Sequence, residues 1–280
     1  MTNFTEEQLE RYSRQILLKD VGVKGQVKIM NGKVLIIGIG GLGSPAALYL
    51  TAAGVGTIGI ADSDTVELSN LQRQVIHFTK DLNTSKVASA AEKMQALNPD
   101  VAVKTHNVFI NADNIRQIIQ GYDFVIDGTD SFAAKFLIND ACVLEGIPYS
   151  HGGVVQFHGQ AMTVVPAKSA CLRCVLEEPP SANAVPTCAQ AGILGAIAGM
   201  LGTIQTAEAL KFLTGKGTLL TNAMLFFDIF KMEFVKHKLE KNKKCALCGE
   251  QPTIHELVDE QQDVCEVDTT QPGQTETKNY

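Results

Sequence analysis

The chain has 280 residues, 45% of them hydrophobic, with 24 basic and 30 acidic side chains and a net charge of −6. That supplies core for one large domain or two small ones, and the near-neutral body gives no basic surface for nucleic acid or membrane. The acid is uneven: residues 249–280 carry eight acids and one lysine, a net of −7, which leaves residues 1–248 at about +1 and marks the end as a solvated tail.

Met1-Thr2-Asn3-Phe4-Thr5-Glu6-Glu7 contains neither a basic segment nor an apolar one, so no secretory signal is expected. No apolar run reaches the roughly 20 residues that span a bilayer. The nearest, Ala191 to Leu213, is interrupted by Gln205, Glu208 and Lys211. A cytoplasmic address with reduced thiols follows as the expectation.

Thr5-Glu6-Glu7-Gln8 reads as a capping box, and Leu9, Tyr12, Ile16 and Leu17 follow at helical spacing. Lys33–Ile37 predicts a strand buried on both faces. A glycine-rich turn leads to a helix over Ala46–Ala53 and a second strand over Gly56–Ala61. Asn83-Thr84-Ser85 caps a helix over Lys86–Leu97, Val101–Val108 is a third strand, Asn111–Gln120 a helix and Phe124–Ile126 a fourth strand. Alternation of strand and helix predicts an α/β chain with a parallel sheet. After Pro148 the pattern changes to paired antiparallel strands, Gly153–Phe157 with Gln160–Val165. A proline-bearing polar loop over 177–183 precedes a long apolar helix from about Ala189 to Leu213. Asn222–Asp228 and Lys231–His237 form a second strand pair.

Gly38-Ile39-Gly40-Gly41-Leu42-Gly43 lies between strand and helix, where backbone amides and a helix N-terminus receive phosphate. Asp62 ends the next strand, 22 residues past Gly40, and is placed to accept from ribose hydroxyls; alone it would read as a turn residue. A nicotinamide-dependent oxidoreductase would stop there. Asp64 to Gln74 is instead dense in groups that bind phosphate or order water, with Asn70, Arg73 and Gln74 among them, and Lys86 follows at a helix start. Those cations suit a triphosphate, whose charge must be offset as a nucleophile approaches. Asp130, after the fourth strand, points into the same crevice as a Mg²⁺ ligand or serves as a helix N-cap, or both.

Cys171-Leu-Arg-Cys174 and Cys245-Ala-Leu-Cys248 are separated by 70 residues. Two such pairs make a closed tetrahedral Cys₄ site for Zn²⁺, structural because no position stays open. The competing reading is two disulfides in an oxidising compartment. Of the other cysteines, Cys142 reads as core, Cys265 lies in the acidic tail, and Cys188 precedes a helix, where the thiolate is favoured. The six histidines lack metal-type spacing, and His77, His151 and His158 read as structural.

These motifs together resemble the sulfur-carrier-protein adenylyltransferases, the MoeB/ThiF group of the ubiquitin-activating superfamily. The matching stretches are Arg11-Tyr12-Ser13-Arg14-Gln15-Ile16, Gly38–Pro45, Asp62–Gln74, Gly128–Ser131, Pro186-Thr187-Cys188 and both cysteine pairs, within about residues 5–250. The resemblance implies a Rossmann-like ATP-binding fold, a mostly parallel N-terminal sheet continued by antiparallel strands, in one adenylation domain over 1–248. Its nucleotide half covers about 1–150, its carrier and zinc half about 151–248, and the acidic tail 249–280. It implies a homodimer using Mg·ATP to adenylate the C-terminal Gly-Gly carboxylate of a small ubiquitin-like sulfur carrier of the MoaD/ThiS type. Asp62 then binds ribose; Asn70, Arg73 and Lys86 contact phosphates; Asp130 holds Mg²⁺; Arg14 reaches across the dimer. Cys188 takes a covalent role in thiamine-type relatives and is dispensable in the MoeB type. Pro252–Asp259 resembles a linker that in longer relatives leads to a rhodanese domain. The 21 residues after it leave no room for one, so sulfur is expected from a separate donor protein or sulfide. The alternative within the same fold is a non-catalytic nucleotide-binding adaptor, which would lack phosphate-site residues.

Overall fold

The computed structural model describes residues 4–180 and 191–260. One eight-stranded sheet carries the fold, in the order β3-β2-β1-β4-β5-β6-β7-β8. The strands are β1 Lys33–Ile37, β2 Thr57–Ala61, β3 Ala102–His106, β4 Phe124–Asp127, β5 Tyr149–Val155, β6 His158–Val164, β7 Ala223–Asp228 and β8 Glu233–Lys238. From β3 to β5 neighbours pair in parallel; from β5 to β8 they pair antiparallel. The expected change of pattern after Pro148 is thus a change of pairing inside a single sheet. β5 is the strand that makes it, with Tyr149 and Ser150 parallel to β4 and its whole length antiparallel to β6.

The helices are α1 Glu6–Arg11, α2 Ser13–Ile16, α3 Gly22–Asn31, α4 Gly43–Ala53, α5 Lys86–Leu97, α6 Ile115–Ile119, α7 Phe132–Leu144 and α8 Gly195–Thr214. They cover both faces of the parallel half. In β1, Leu35 and Ile37 join a core with α6, α7 and the buried cysteines, while Val34 and Ile36 join a core with α4 and α5. That division explains why β1 is apolar at every interior position. α8 crosses behind the antiparallel half, where Ile197, Ala198 and Leu201 pack on Ala161 and Phe227.

Several elements differ from expectation. The Thr5 capping box forms, but the first helix breaks at Tyr12 into α1 and α2. Tyr12 alone of the apolar series is buried, its hydroxyl accepting from Asn98 Nδ2 at 2.9 Å, whereas Leu9 and Leu17 are exposed. The helix expected over 111–120 shrinks to Ile115–Ile119, because Asn111 and Asn114 side chains bond the backbone before it. The long apolar helix is described from Gly195, after Ile193 forms a bridge with Gln156; its expected start near Ala189 lies outside the described residues. Residues 181–190, with Cys188, and residues 261–280, with Cys265, lie outside the described residues.

Residues 249–260, grouped by composition with the solvated tail, pack back on the fold. Ile254 and Leu257 meet the α7 core, Asp259 accepts from Ala112 N at 2.8 Å, and Glu260 pairs with Arg173 at 2.7 Å.

Candidate active site

The strand order turns between β2 and β4, with β1 at the switch, and this is where an open α/β sheet leaves a crevice at its C-terminal edge. A cleft of about 700 Å³ lies there. Its floor is the glycine loop between β1 and α4. Gly38 sits at φ +88°, and a Cβ on it would stand 2.8 Å from Gly128 O; a Cβ on Gly43 would collide with the Gly38 carbonyl. The two strand ends therefore touch through backbone alone, which only glycine permits.

Around that floor the cleft gathers Asp62, Asp64, Arg73, Gln74, Lys86 and Asp130. Asp62 is tied to the loop: its Oδ2 accepts from Ile39 N at 2.8 Å and its Oδ1 from Asp64 N at 2.9 Å. Lys86 is buried at the start of α5 and pairs with the exposed Asp64 at 2.7 Å. An ordinary surface lysine would not be buried, so this one belongs to the site. Arg73 Nη1 donates to Ser69 O at 3.0 Å from the cleft wall. Gln74 is buried, and its Oε1 has no hydrogen-bond partner among the described residues. A buried acceptor left open beside Gly40 fits a cleft whose ligand would complete the bonding. Asp130 is exposed, and the cap of α7 is Ser131, whose Oγ accepts from Ala134 N at 3.2 Å, so Asp130 is not the N-cap.

Among the described residues, three of those expected at the nucleotide site do not line the cleft. Gly43 stands behind the loop as the first residue of α4. Asn70 is buried beneath Arg73 and Gln74, its carbonyl accepting from both their amides at 3.1 and 3.0 Å. Arg14 is exposed on α2, outside the single-chain cleft. His158, the exposed first residue of β6, lies among the cleft-lining residues, 3.5 Å from Asp228. His77 is structural as expected, bonded to Ser89 Oγ at 2.9 Å and Ile39 O at 3.0 Å.

Beneath the cleft lies a polar network that motif reasoning missed. Asp127, the buried last residue of β4, accepts from Lys135 at 3.1 Å, His151 Nδ1 at 3.1 Å and Thr129 Oγ1 at 2.6 Å. Burial alone would raise its carboxyl. The Lys135 charge and the bonds from His151 and Thr129 outweigh that and hold it down to about 2. His151 is shifted down, chiefly by burial, against the pull of Asp127. Its Nδ1 carries the proton, because a carboxylate only accepts. The signal available in the sequence was a lone lysine inside the apolar run Phe132–Ile138.

These shifts have a defined pH consequence. His151, with a folded value below 6.5, contributes stability above pH 6.5 that is lost as pH falls below it. Asp127 contributes fully above its ordinary 3.8 and loses that contribution as pH falls towards 2. The His151 imidazole should titrate below pH 6.5 in ¹⁵N NMR; a half-point at 6.5 or above would contradict the network.

The four cysteines meet on the α7 side of the sheet. The Sγ atoms of Cys171, Cys174, Cys245 and Cys248 lie within 4.8 Å of one another. The pairs 171–174, 171–245 and 174–248 are 3.9, 3.7 and 3.4 Å apart. A tetrahedron with metal–sulfur bonds of about 2.3 Å has sulfurs about 3.8 Å apart. All four are free thiols, so the disulfide reading fails. Asn242 N approaches Cys174 Sγ at 3.4 Å and Cys248 N approaches Cys245 Sγ at 3.5 Å, donors that would support thiolates. Cys142 is fully buried in the core, where burial pushes its thiol well up.

No helix among the described residues is long and apolar enough to cross a membrane. Residues 12–247 match the model of the ThiF family. The chain is 43% identical over 243 residues to the SAMP-activating enzyme E1 of Haloferax volcanii, covering 87% of this chain and 90% of that protein. It is 41% identical over 261 residues to the sulfur carrier protein adenylyltransferase of Thermus thermophilus, covering 91% and 96%. It is also 41% identical to the adenylyltransferase and sulfurtransferase MOCS3 of Culex quinquefasciatus, but spans 60% of that longer protein. The crystal structure of E. coli MccB shares the fold, with a TM-score of 0.79 at 22% identity over 91% of this chain and 76% of that one. A family model that spans most of the chain, together with relatives at 41–43% identity over nearly their whole length, places this chain in the ThiF family.

Proposed function

We propose that the chain is an adenylyltransferase that activates the C-terminal carboxylate of a small ubiquitin-like sulfur carrier with ATP, releasing pyrophosphate. The observation that carries this is the convergence of Arg73, Lys86, Asp62 and Asp130 on one cleft above a glycine loop. Two relatives at 41–43% identity carry names for this class of activity.

The chemistry follows from charge. A carboxylate is already ionised and needs no general base, but it is a weak nucleophile repelled by the α-phosphate. Arg73 and Lys86 offset that repulsion and stabilise the departing pyrophosphate. Lys86 must exchange its Asp64 partner for phosphate oxygen, which the exposed Asp64 permits. Glycine-loop amides take further phosphate oxygens, and Asp62 keeps acceptor capacity for ribose hydroxyls beside its two amide bonds. Asp130 and Asp64 would hold Mg²⁺, which supplies Lewis-acid neutralisation of phosphate charge. The four thiols would hold Zn²⁺ as a structural ion.

A homodimer fits the exposed apolar side chains Leu17, Leu18 and Val23, which follow Arg14 in sequence and need cover. In that assembly Arg14 would complete the partner's cleft. A separate protein or sulfide would supply the sulfur, and a reducing compartment such as the cytoplasm would keep the four thiols available for the metal.

The test is ATP–pyrophosphate exchange with labelled pyrophosphate, using each ubiquitin-like carrier of the source organism. Carrier-dependent exchange is expected with one of them. ATP binding without exchange across the whole panel would favour the non-catalytic adaptor.

A further inference from the structure

Lys135 lies on α7 with 5% of its surface exposed. Its ammonium bonds Asp127 Oδ1 and Oδ2 at 3.3 and 3.1 Å, Thr129 O at 2.7 Å and Gly152 O at 2.5 Å. Those acceptors belong to three segments. Asp127 ends β4, Thr129 immediately precedes Asp130, and Gly152 precedes the stretch of β5, Gly153 to Val155, that lines the cleft. Asp127 answers from below: its Oδ1 accepts from Thr129 N at 3.1 Å and from Thr129 Oγ1. Gln205 of α8 closes the arrangement, donating to Asp127 O at 2.8 Å and Ser150 O at 3.1 Å.

Burying an ammonium and a carboxylate costs free energy that an apolar pair of the same volume would avoid. What an apolar pair cannot do is direct donors at two main-chain carbonyls, one after β4 and one within the neighbouring β5. We propose that Lys135 is the positioning residue of this site, clamping the Thr129 and Gly152 carbonyls so that the 128–131 loop presents Asp130 at a set height facing β5. The inference rests on the reading of the cleft as an adenylation site. Its consequence is that Lys135, which reaches the cleft lining but directs its ammonium at Asp127 and the two carbonyls, governs how well the metal is held through the loop it fixes.

The test compares wild type, K135R, K135M and the double variant K135M/D127N. The single K135M leaves a carboxylate buried without its lysine and is expected to fold poorly. The double variant leaves no orphaned charge and is expected to fold, while the amide oxygen introduced at position 127 still accepts from Thr129 N. If Lys135 only neutralises Asp127, the double variant behaves as wild type. If Lys135 positions the loop, the Mg²⁺ concentration for half-maximal pyrophosphate exchange rises about tenfold or more in the double variant, and K135R recovers part of it. A Mg²⁺ requirement within about twofold of wild type overturns the proposal. Amide hydrogen exchange of residues 128–131 needs no substrate and is expected to accelerate by about tenfold or more in the double variant. Unchanged protection there overturns the clamp. Accelerated amide exchange in a chain whose wild type shows no pyrophosphate exchange would leave the clamp standing and remove the adenylation reading.

Discussion

Replacing Arg73 by alanine lowers pyrophosphate exchange on the order of 10²-fold or more, with little change in melting temperature. The magnitude is that of removing one pre-aimed donor from a site of developing charge, about 2.7 kcal/mol. The structure explains why activity and stability separate. Arg73 is half-buried on the cleft wall, and among the described residues its side chain donates to the Ser69 carbonyl, within its own turn. Nothing in the core depends on the guanidinium. The turn is held by backbone: Asn70 O accepts from the Arg73 and Gln74 amides whatever side chain stands at 73. Arg73→Lys should recover only part of the loss, because a point charge replaces a planar fork. Steady-state exchange over a range of ATP concentrations would check this, and a loss below about threefold would remove Arg73 from the chemistry.

Replacing Cys171 by serine releases the metal and lowers the melting temperature on the order of 10 °C, because a structural site contributes folding free energy directly. Cys171 is 1% exposed and belongs to the α7 core, and its sulfur faces both Cys174 and Cys245. The site joins residues 171–174 to residues 245–248, and so anchors the start of the chain that leads to Leu176 and Pro180 at the cleft rim. Exchange activity should therefore fall together with stability, unlike the Arg73 variant. Elemental analysis of wild type is expected to give one zinc per chain and of Cys171→Ser none. Cys142→Ala, in the same core but outside the thiol cluster, should keep the metal while losing some stability.

The glycine loop, Asp62, Arg73, Lys86 and both cysteine pairs were legible because each is a local pattern whose spacing carries its chemistry. Strands β1, β2 and β4 were legible because a strand buried on both faces has no polar alternation to hide it, whereas the largely exposed edge strand β3 was legible from its place between two helical stretches. The boundaries of β5 were not: Ser150, His151, Gly152 and Gly153 carry no apolar pattern, and only pairing with β4 on one side and β6 on the other extends the strand to Tyr149. The fate of residues 249–260 was also hidden. Their acidity reads as solvation, yet Glu260 is neutralised by Arg173, whose guanidinium also grips Asp140 at 2.7 Å and lies over the Phe136 ring.

By itself, then, the sequence determined which groups could bind phosphate and metal, since residue type and short spacing are properties of the chain alone. Only the tertiary structure decided that Asn70 supports the site from behind, that Ser131 rather than Asp130 caps α7, and that Lys135, Asp127 and His151 form one buried network. Those roles depend on which segments meet across the switch between β1 and β4, and burial and counter-charge exist only once distant parts of the chain have come together.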